Sequence, residues 1–376
     1  MPPDLQPEAL AALTRWVLWS GFGLAMALGA LARWSHFCTM GAVADVFHMG
    51  DWTRARMWIL SVGTAAIGFG LLAGIGQIDP ARALYTSPRL LWLSTAVGGL
   101  MFGVGMVLAS GCGNKTLVRI GGGNLKSLVV FLVMAFAALA TLRGITAVLR
   151  NATVDQAVWM LPVGQDLPAL FTRDGGAARR TLALVLGLGV GGSLWVWVLS
   201  RREARQALVI GAGAGVGLLV VAMWWVTGSL GFVAEHPETL EAAYLGTANG
   251  TAMEAFSFVS PMAATVDWLI LFSDRNKLVT LGVLTPLGVV LGSALVAWRM
   301  GEFRWEGFSG AEDTANHLVG ALLMGVGGVT ALGCTVGQGL SGLSTLSLGS
   351  AIATAGFVAG AWAALHYQSW RIERQG

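Results

Sequence analysis

The sequence predicts an all-α polytopic membrane protein: about nine transmembrane helices, four broken or re-entrant segments, and two inverted pseudo-symmetric repeats. Three observations predict it. Hydrophobic residues make up 55% of the chain and charged residues 11%, with mean hydropathy +0.69; a soluble domain carries about 25% charged residues. Apolar runs near the length a helix needs to cross a bilayer, about 20 residues, recur along the whole chain. Two pairs of Gly- and Ser-rich segments repeat at one fixed offset of 222 residues, the spacing of Cys112 and Cys334.

The runs fall near 17–32, 57–76, 92–110, 127–142, 181–200, 207–227, 278–298, 318–333 and 348–365. Met1 to Glu8 has no basic region, so the first run reads as a retained helix rather than a cleaved signal. Trp16, Trp19, Trp58, Trp92, Trp298 and Trp370 lie near run ends and suit an interfacial belt; Trp195 and Trp197 read as packing. Segments 33–47, 112–126, 247–273 and 334–347 are apolar but rich in Gly, Ser, Thr and Asn. Irregular backbone at membrane depth must be buried in protein or line a cavity, so these read as re-entrant or half helices.

The offset pairs Trp34–Met40 with Phe256–Met262, and Gly103–Cys112 with Gly325–Cys334. Asp45 falls on Asp267, which suggests a shared task such as helix capping. Five spans separate Arg54 from its partner near Asn276 if 247–273 turns back, and an odd number inverts the second half. The broken segments then enter from opposite faces and meet near the midplane, the build of a transporter with its substrate site there. The domain organisation is a tail over 1–16, a first repeat over 17–142, connecting loop and helices over 143–246, a second repeat over 247–366 and a tail over 367–376, all one membrane domain. The basic loop Arg201–Arg205 and the acidic stretch 228–246, with Glu235, Glu238 and Glu241, place the N-terminus outside and the C-terminus in the cytoplasm. Arg143, Arg150, Arg173, Arg179 and Arg180 then face outward, against the rule.

The chain has three cysteines, Cys38, Cys112 and Cys334, all in broken segments. Without a C-x-x-C pair, a structural zinc or an iron–sulfur cluster is disfavoured, and no disulfide framework or cofactor is expected. A free cysteine also packs well as a small buried residue, but the shared location favours a functional role. Lys115 and Thr116 after Gly111-Cys112-Gly113 miss the spacing of a phosphate-binding loop. Net charge is +3 with no basic, aromatic-interleaved stretch, so nucleic-acid binding has no support. No hydrolytic side-chain set stands out, and the chain reads as not an enzyme.

Phe37-Cys38-Thr39-Met40-Gly41, the block from Gly103 to Thr116 and Leu332-Gly333-Cys334-Thr335-Val336-Gly337-Gln338-Gly339 resemble the YeeE/YedE family of sulfur-transport permeases over nearly the whole chain. The resemblance implies a multi-pass inner-membrane protein importing thiosulfate for sulfur assimilation, with Cys38, Cys112 and Cys334 contacting the ion in succession. It also implies a cytoplasmic TusA-like sulfur carrier as a partner. Some relatives serve selenium metabolism, so a selenium or other sulfur species stays open.

The residues argue for the same chemistry. Thiosulfate has one soft sulfur and three hard oxygens, and helix N-termini bring free N–H groups to anions. Gly111, Gly113 and Gly333 let backbone come close. Protonated thiols are weak donors matched to the soft sulfur, and Ser260 stands at the fourth equivalent position. Lys115 and Arg119 follow Cys112 and either attract the anion or snorkel to the interface. Glu254 is costly in a membrane unless it faces a cavity or finds a partner; it caps a half helix or binds a proton. Asn249, Asn316, His317 and Gln338 are candidate polar-network members. Two other classes remain: a membrane sulfurtransferase or redox protein using Cys112 covalently with Lys115 as base, and an anchor for a sulfur carrier.

Overall fold

The computed structural model describes residues 7–172, 176–237, 239–248, 250–274 and 277–375. Arg173, Glu238, Asn249, Asn276 and the first six residues lie outside the described residues. Long helices form on the apolar runs: α1 (Pro7–Trp34), with the short α2 (Thr39–Met49) after it, then α3 (Thr53–Gly74) and α4 (Trp92–Leu108). The short α5 (Gly113–Gly121) and then α6 (Leu125–Arg143) follow. Next come the small surface helices α7 (Ile145–Ala152) and α8 (Leu167–Phe171), then α9 (Ala177–Leu199) and α10 (Ala207–Trp225). The second half holds the short α11 (Val259–Ile270), then α12 (Leu281–Arg299), α13 (Ala311–Thr330) and α14 (Leu348–Gln375).

Eight stretches among the described residues are long and apolar enough to cross a membrane. The ninth long helix, α13, opens on Glu312, Asp313 and His317, which lowers its hydropathy without shortening it. Its acidic first turn suits the positive end of the helix dipole. Helix α1 starts at Pro7 and α14 runs to Gln375, so most of both expected tails is helical.

Helices meet through glycine, because in lipid close backbone approach replaces the hydrophobic drive that operates in water. A Cβ on Gly98 would stand 2.7 Å from Gly327 O, and one on Gly105 2.7 Å from Gly320 O, so α4 and α13 run antiparallel. A Cβ on Gly99 would stand 2.8 Å from Ala353 O and one on Gly103 would meet Phe357 and Gly360, so α4 and α14 run parallel. Gly213 and Gly217 meet Met57 O and Ser61 O, aligning α10 with α3, and Gly288 and Gly292 set α12 beside Phe22–Met26 of α1 in the same sense. These directions put the starts of α1, α4, α9, α12 and α14 on one face, here the first, and those of α3, α6, α10 and α13 on the second.

Swapping α2 with α11, α3 with α12, α4 with α13, α6 with α14 and α1 with α10 returns most of the packed pairs among these helices. Partners such as α3 and α12 run in opposite senses, so the repeats are inverted. Helix α9 has no counterpart; it packs on α3 alone among the long helices. The basic loop 201–205 lies on the second face with the end of α14. Segment 144–172 lies on the first face with the start of α1, where strands Arg89–Leu90 and Trp159–Met160 form a two-residue ladder.

Candidate functional site

All three cysteines sit at one kind of backbone break. Helix α1 stops at His36 (φ 54°), α4 at Ser110 (φ 55°) and α13 at Leu332 (φ 59°), each left-handed without being glycine. The stops are closed by matching bonds: Phe37 N–H to Ala32 O at 3.1 Å, Gly111 N–H to Met106 O at 2.8 Å and Gly333 N–H to Gly328 O at 2.8 Å. They are the six-to-one bonds that end helices on a left-handed residue. The cysteine follows two positions after each stop and opens the next segment. Ala42 N–H donates to Cys38 O at 3.0 Å, Thr116 N–H to Cys112 O at 2.9 Å and Gln338 N–H to Cys334 O at 2.8 Å.

Two thiols also act as caps, Cys38 Sγ accepting from Gly41 N–H at 3.3 Å and Cys334 Sγ from Gly337 N–H at 3.4 Å. Cys112 makes no such cap bond. Cys112 and Cys334 are buried, Cys38 is partly so, and all three are free thiols. Cys112 lies within electrostatic range of both other thiols. Helices α2 and α5 run from their cysteines to the second face, while 335–347 and α11 run to the first. The segments opened by the cysteines, together with α11, therefore turn their positive ends inward from opposite halves.

On the second face, Lys115 is within electrostatic range of Cys38, Cys112, Arg119 and Arg54. A Cβ on Gly111 would touch Lys115 Cβ at 3.1 Å and one on Gly41 would reach Arg54 at 2.9 Å, so glycine lets these cations crowd the thiols. Gly113 lies near Phe258, Met262 and Met134, in the seam between repeats, and Gly333 abuts Gln338. On the first face a cavity of about 650 Å³ is lined by Tyr85, Ser260, Leu332, Gln338 and Glu254, with Arg143, Arg150 and Lys277 among its walls. Burial pushes the Glu254 carboxyl up to about 7, the Ala248 N–H pulling the other way.

The structure thus brings Cys38, Cys112, Cys334, Gly111, Lys115 and Arg119 together, and puts Ser260 on the cavity wall in the first turn of α11. A second serine, Ser257, lies against the segment opened by Cys334: its Oγ would stand 2.7 Å from a Cβ on Gly337, beside Tyr85 Oη at 3.0 Å. Sequence reasoning missed Ser257 and Tyr85; Tyr85 reaches the site from the 75–91 connection, and no local pattern marks it. Asp45 and Asp267 do share a task, but it is ion pairing rather than capping: Asp45 with Arg54 at 3.4 Å, Asp267 with Lys277 at 2.7 Å. Gln338 is a network member, its Nε2 donating to Ala331 O at 2.7 Å and its Oε1 accepting from Ser350 at 2.5 Å. His317 instead faces Asp313 at the second face.

The sequence profile of the Sulphur transport family matches residues 34–363, which includes all three breaks. The chain belongs to the Sulphur transport family. It is a multi-pass membrane transport protein. Over 361 residues it is 26% identical to the thiosulfate transporter TsuA of Spirochaeta thermophila, covering 92% of this chain and 97% of the relative. Over 366 residues it is 26% identical to the thiosulfate transporter TsuA of Escherichia coli, covering 94% of each.

Proposed function

We propose that the protein imports thiosulfate across the cell inner membrane for sulfur assimilation, passing the ion along Cys334, Cys112 and Cys38 without a stable covalent intermediate. The observation that carries the reading is the closeness of Cys112 to both other thiols, each at the start of a segment leaving a left-handed helix stop. Backbone N–H groups and helix ends favour the anion. The polarizable S–H groups meet its soft sulfur and hold it weakly enough to let it leave. Thiolates would repel a dianion, so the thiols act protonated. The names of the two relatives support thiosulfate over other sulfur or selenium species. A TusA-like carrier would collect the ion on the cytoplasmic side.

Uptake of radiolabelled thiosulfate into proteoliposomes, with Cys112→Ala beside the wild type and sulfate as competitor, tests the reading. Uptake that needs Cys112 and resists excess sulfate is the expected result. A persulfide or mixed disulfide trapped on Cys112 during turnover would replace the relay with covalent transfer. A well-folded wild type without uptake removes thiosulfate as the substrate.

A further inference from the structure

The first-face cavity contains an acid that the thiol relay does not use. Around it the charges pair off. Asp267 on α11 takes Lys277 at 2.7 Å and Arg143 of α6 at 3.3 Å, and Asp155 takes Arg150 of α7 at 2.9 Å. On the neighbouring 79–86 turn, Arg82 faces Asp79 at 3.8 Å. Glu254 lines the same cavity and has no cationic partner among the described residues; its Oε1 accepts only the Ala248 N–H, at 2.9 Å.

The carboxyl is held in place by its backbone. Thr227 Oγ1 at the end of α10 donates to Glu254 O at 2.7 Å, and Met253 N–H donates to Arg82 O at 3.0 Å. Tyr85 is the titratable group between Glu254 and the thiols, within electrostatic range of both Glu254 and Cys334. An anion descending from the cavity toward Cys334 therefore passes this carboxyl. Two like charges in a half-desolvated site repel strongly, and the cheapest relief is for the carboxylate to take up a proton. A neutral carboxyl then turns from a repelling group into an O–H donor toward an anionic oxygen.

We propose that Glu254 is a proton-binding site linked to the substrate: occupancy of the first-face cavity by a divalent oxyanion draws one proton from solvent onto the Glu254 carboxylate. The inference rests on the proposed transport of thiosulfate and adds the ion that enters with it. The upward displacement of this carboxyl by burial, to about 7, means the proton is within reach at neutral pH. The other acid lining the cavity, Asp267, is paired with Lys277 and Arg143, and Arg150 on the wall is paired with Asp155.

Calorimetric titration of the purified protein with thiosulfate, in buffers of different ionisation enthalpy, counts the protons taken up per anion. The wild type should take up close to one proton at pH 8, and its affinity should weaken by about tenfold per pH unit above neutrality. Glu254→Gln keeps an oxygen to accept the Ala248 N–H and so keeps the loop; it should bind thiosulfate with no proton uptake and no pH dependence. Glu254→Asp should restore part of both. Binding without proton uptake in the wild type, or unchanged uptake in Glu254→Gln, overturns the proposal while leaving the transport reading standing. No binding and no vesicle uptake of thiosulfate at any pH overturns both.

Discussion

Arg179 and Asp166 form the most deeply buried ion pair among the described residues, with side chains 2% and 1% exposed. The guanidinium is bidentate, Nε to Oδ2 at 3.2 Å and a terminal nitrogen to Oδ1 at 2.5 Å. The pair anchors 164–169 against the start of α14, where Leu167 N–H donates to Leu346 O at 3.1 Å and Leu348 N–H to Gln165 O at 2.9 Å. At such separations the attraction is about 5 kcal/mol at an effective dielectric of 20, and the desolvation of both charges cancels much of it. Removing one partner leaves a bare buried charge, a loss of about 3–5 kcal/mol, whereas replacing both with apolar residues is near neutral.

Arg179→Met should therefore lower the melting temperature by roughly 6–10 °C, taking about 2 °C per kcal/mol for a chain of this size. Asp166→Leu/Arg179→Met should recover most of that. A dye that fluoresces on reacting with thiols reads the transition directly, because Cys112 and Cys334 are buried until the bundle opens. The deficit is also pH-dependent. Burial already raises the Asp166 carboxyl and Arg179 opposes it; without the arginine it rises further. A carboxyl raised in the folded state loses stability as pH climbs from its unfolded value of about 3.9 through its folded one. The Arg179→Met deficit should be full at pH 8 and shrink toward pH 4. A melting shift under about 2 °C, or a double variant as unstable as the single one, would refute this account.

Two further outcomes are expected. Gly337→Ala puts a Cβ 2.7 Å from Ser257 Oγ and 3.0 Å from Tyr85 Oη; the overpacking should slow uptake by about tenfold or more while the protein still elutes as one species, and wild-type rates would show that this contact lies off the path. Lys115→Gln with Arg119→Gln should cut uptake at low substrate by about tenfold at low salt, with the gap narrowing near 0.5 M salt as screening shortens. A loss indifferent to salt would assign these cations to structure rather than attraction.

Much of the fold is legible because lipid imposes one rule on every span. The runs at 92–110, 127–142 and 207–227 coincide closely with α4, α6 and α10. The large boundary errors, at Pro7, Ala311 and Gln375, have one cause: hydropathy reports the lipid-facing part of a helix, whereas hydrogen bonding continues into polar turns such as Ala311–Thr314. The cysteine breaks were legible because two repeats carry them at the same offset. Tyr85, Ser257 and the Arg179–Asp166 pair were not, since each depends on contact between segments far apart in sequence or on a connection without periodicity.

The left-handed stops at His36, Ser110 and Leu332 fix where the backbone of each cysteine stands through main-chain bonds, to which the sulfurs of Cys38 and Cys334 add one cap bond each. The backbone position of each thiol is therefore set mostly by the chain around it. Serine, alanine or selenocysteine introduced at 38, 112 or 334 should stand on the same backbone point as cysteine. Chemistry and placement, which most binding sites entangle, are separable here one atom at a time.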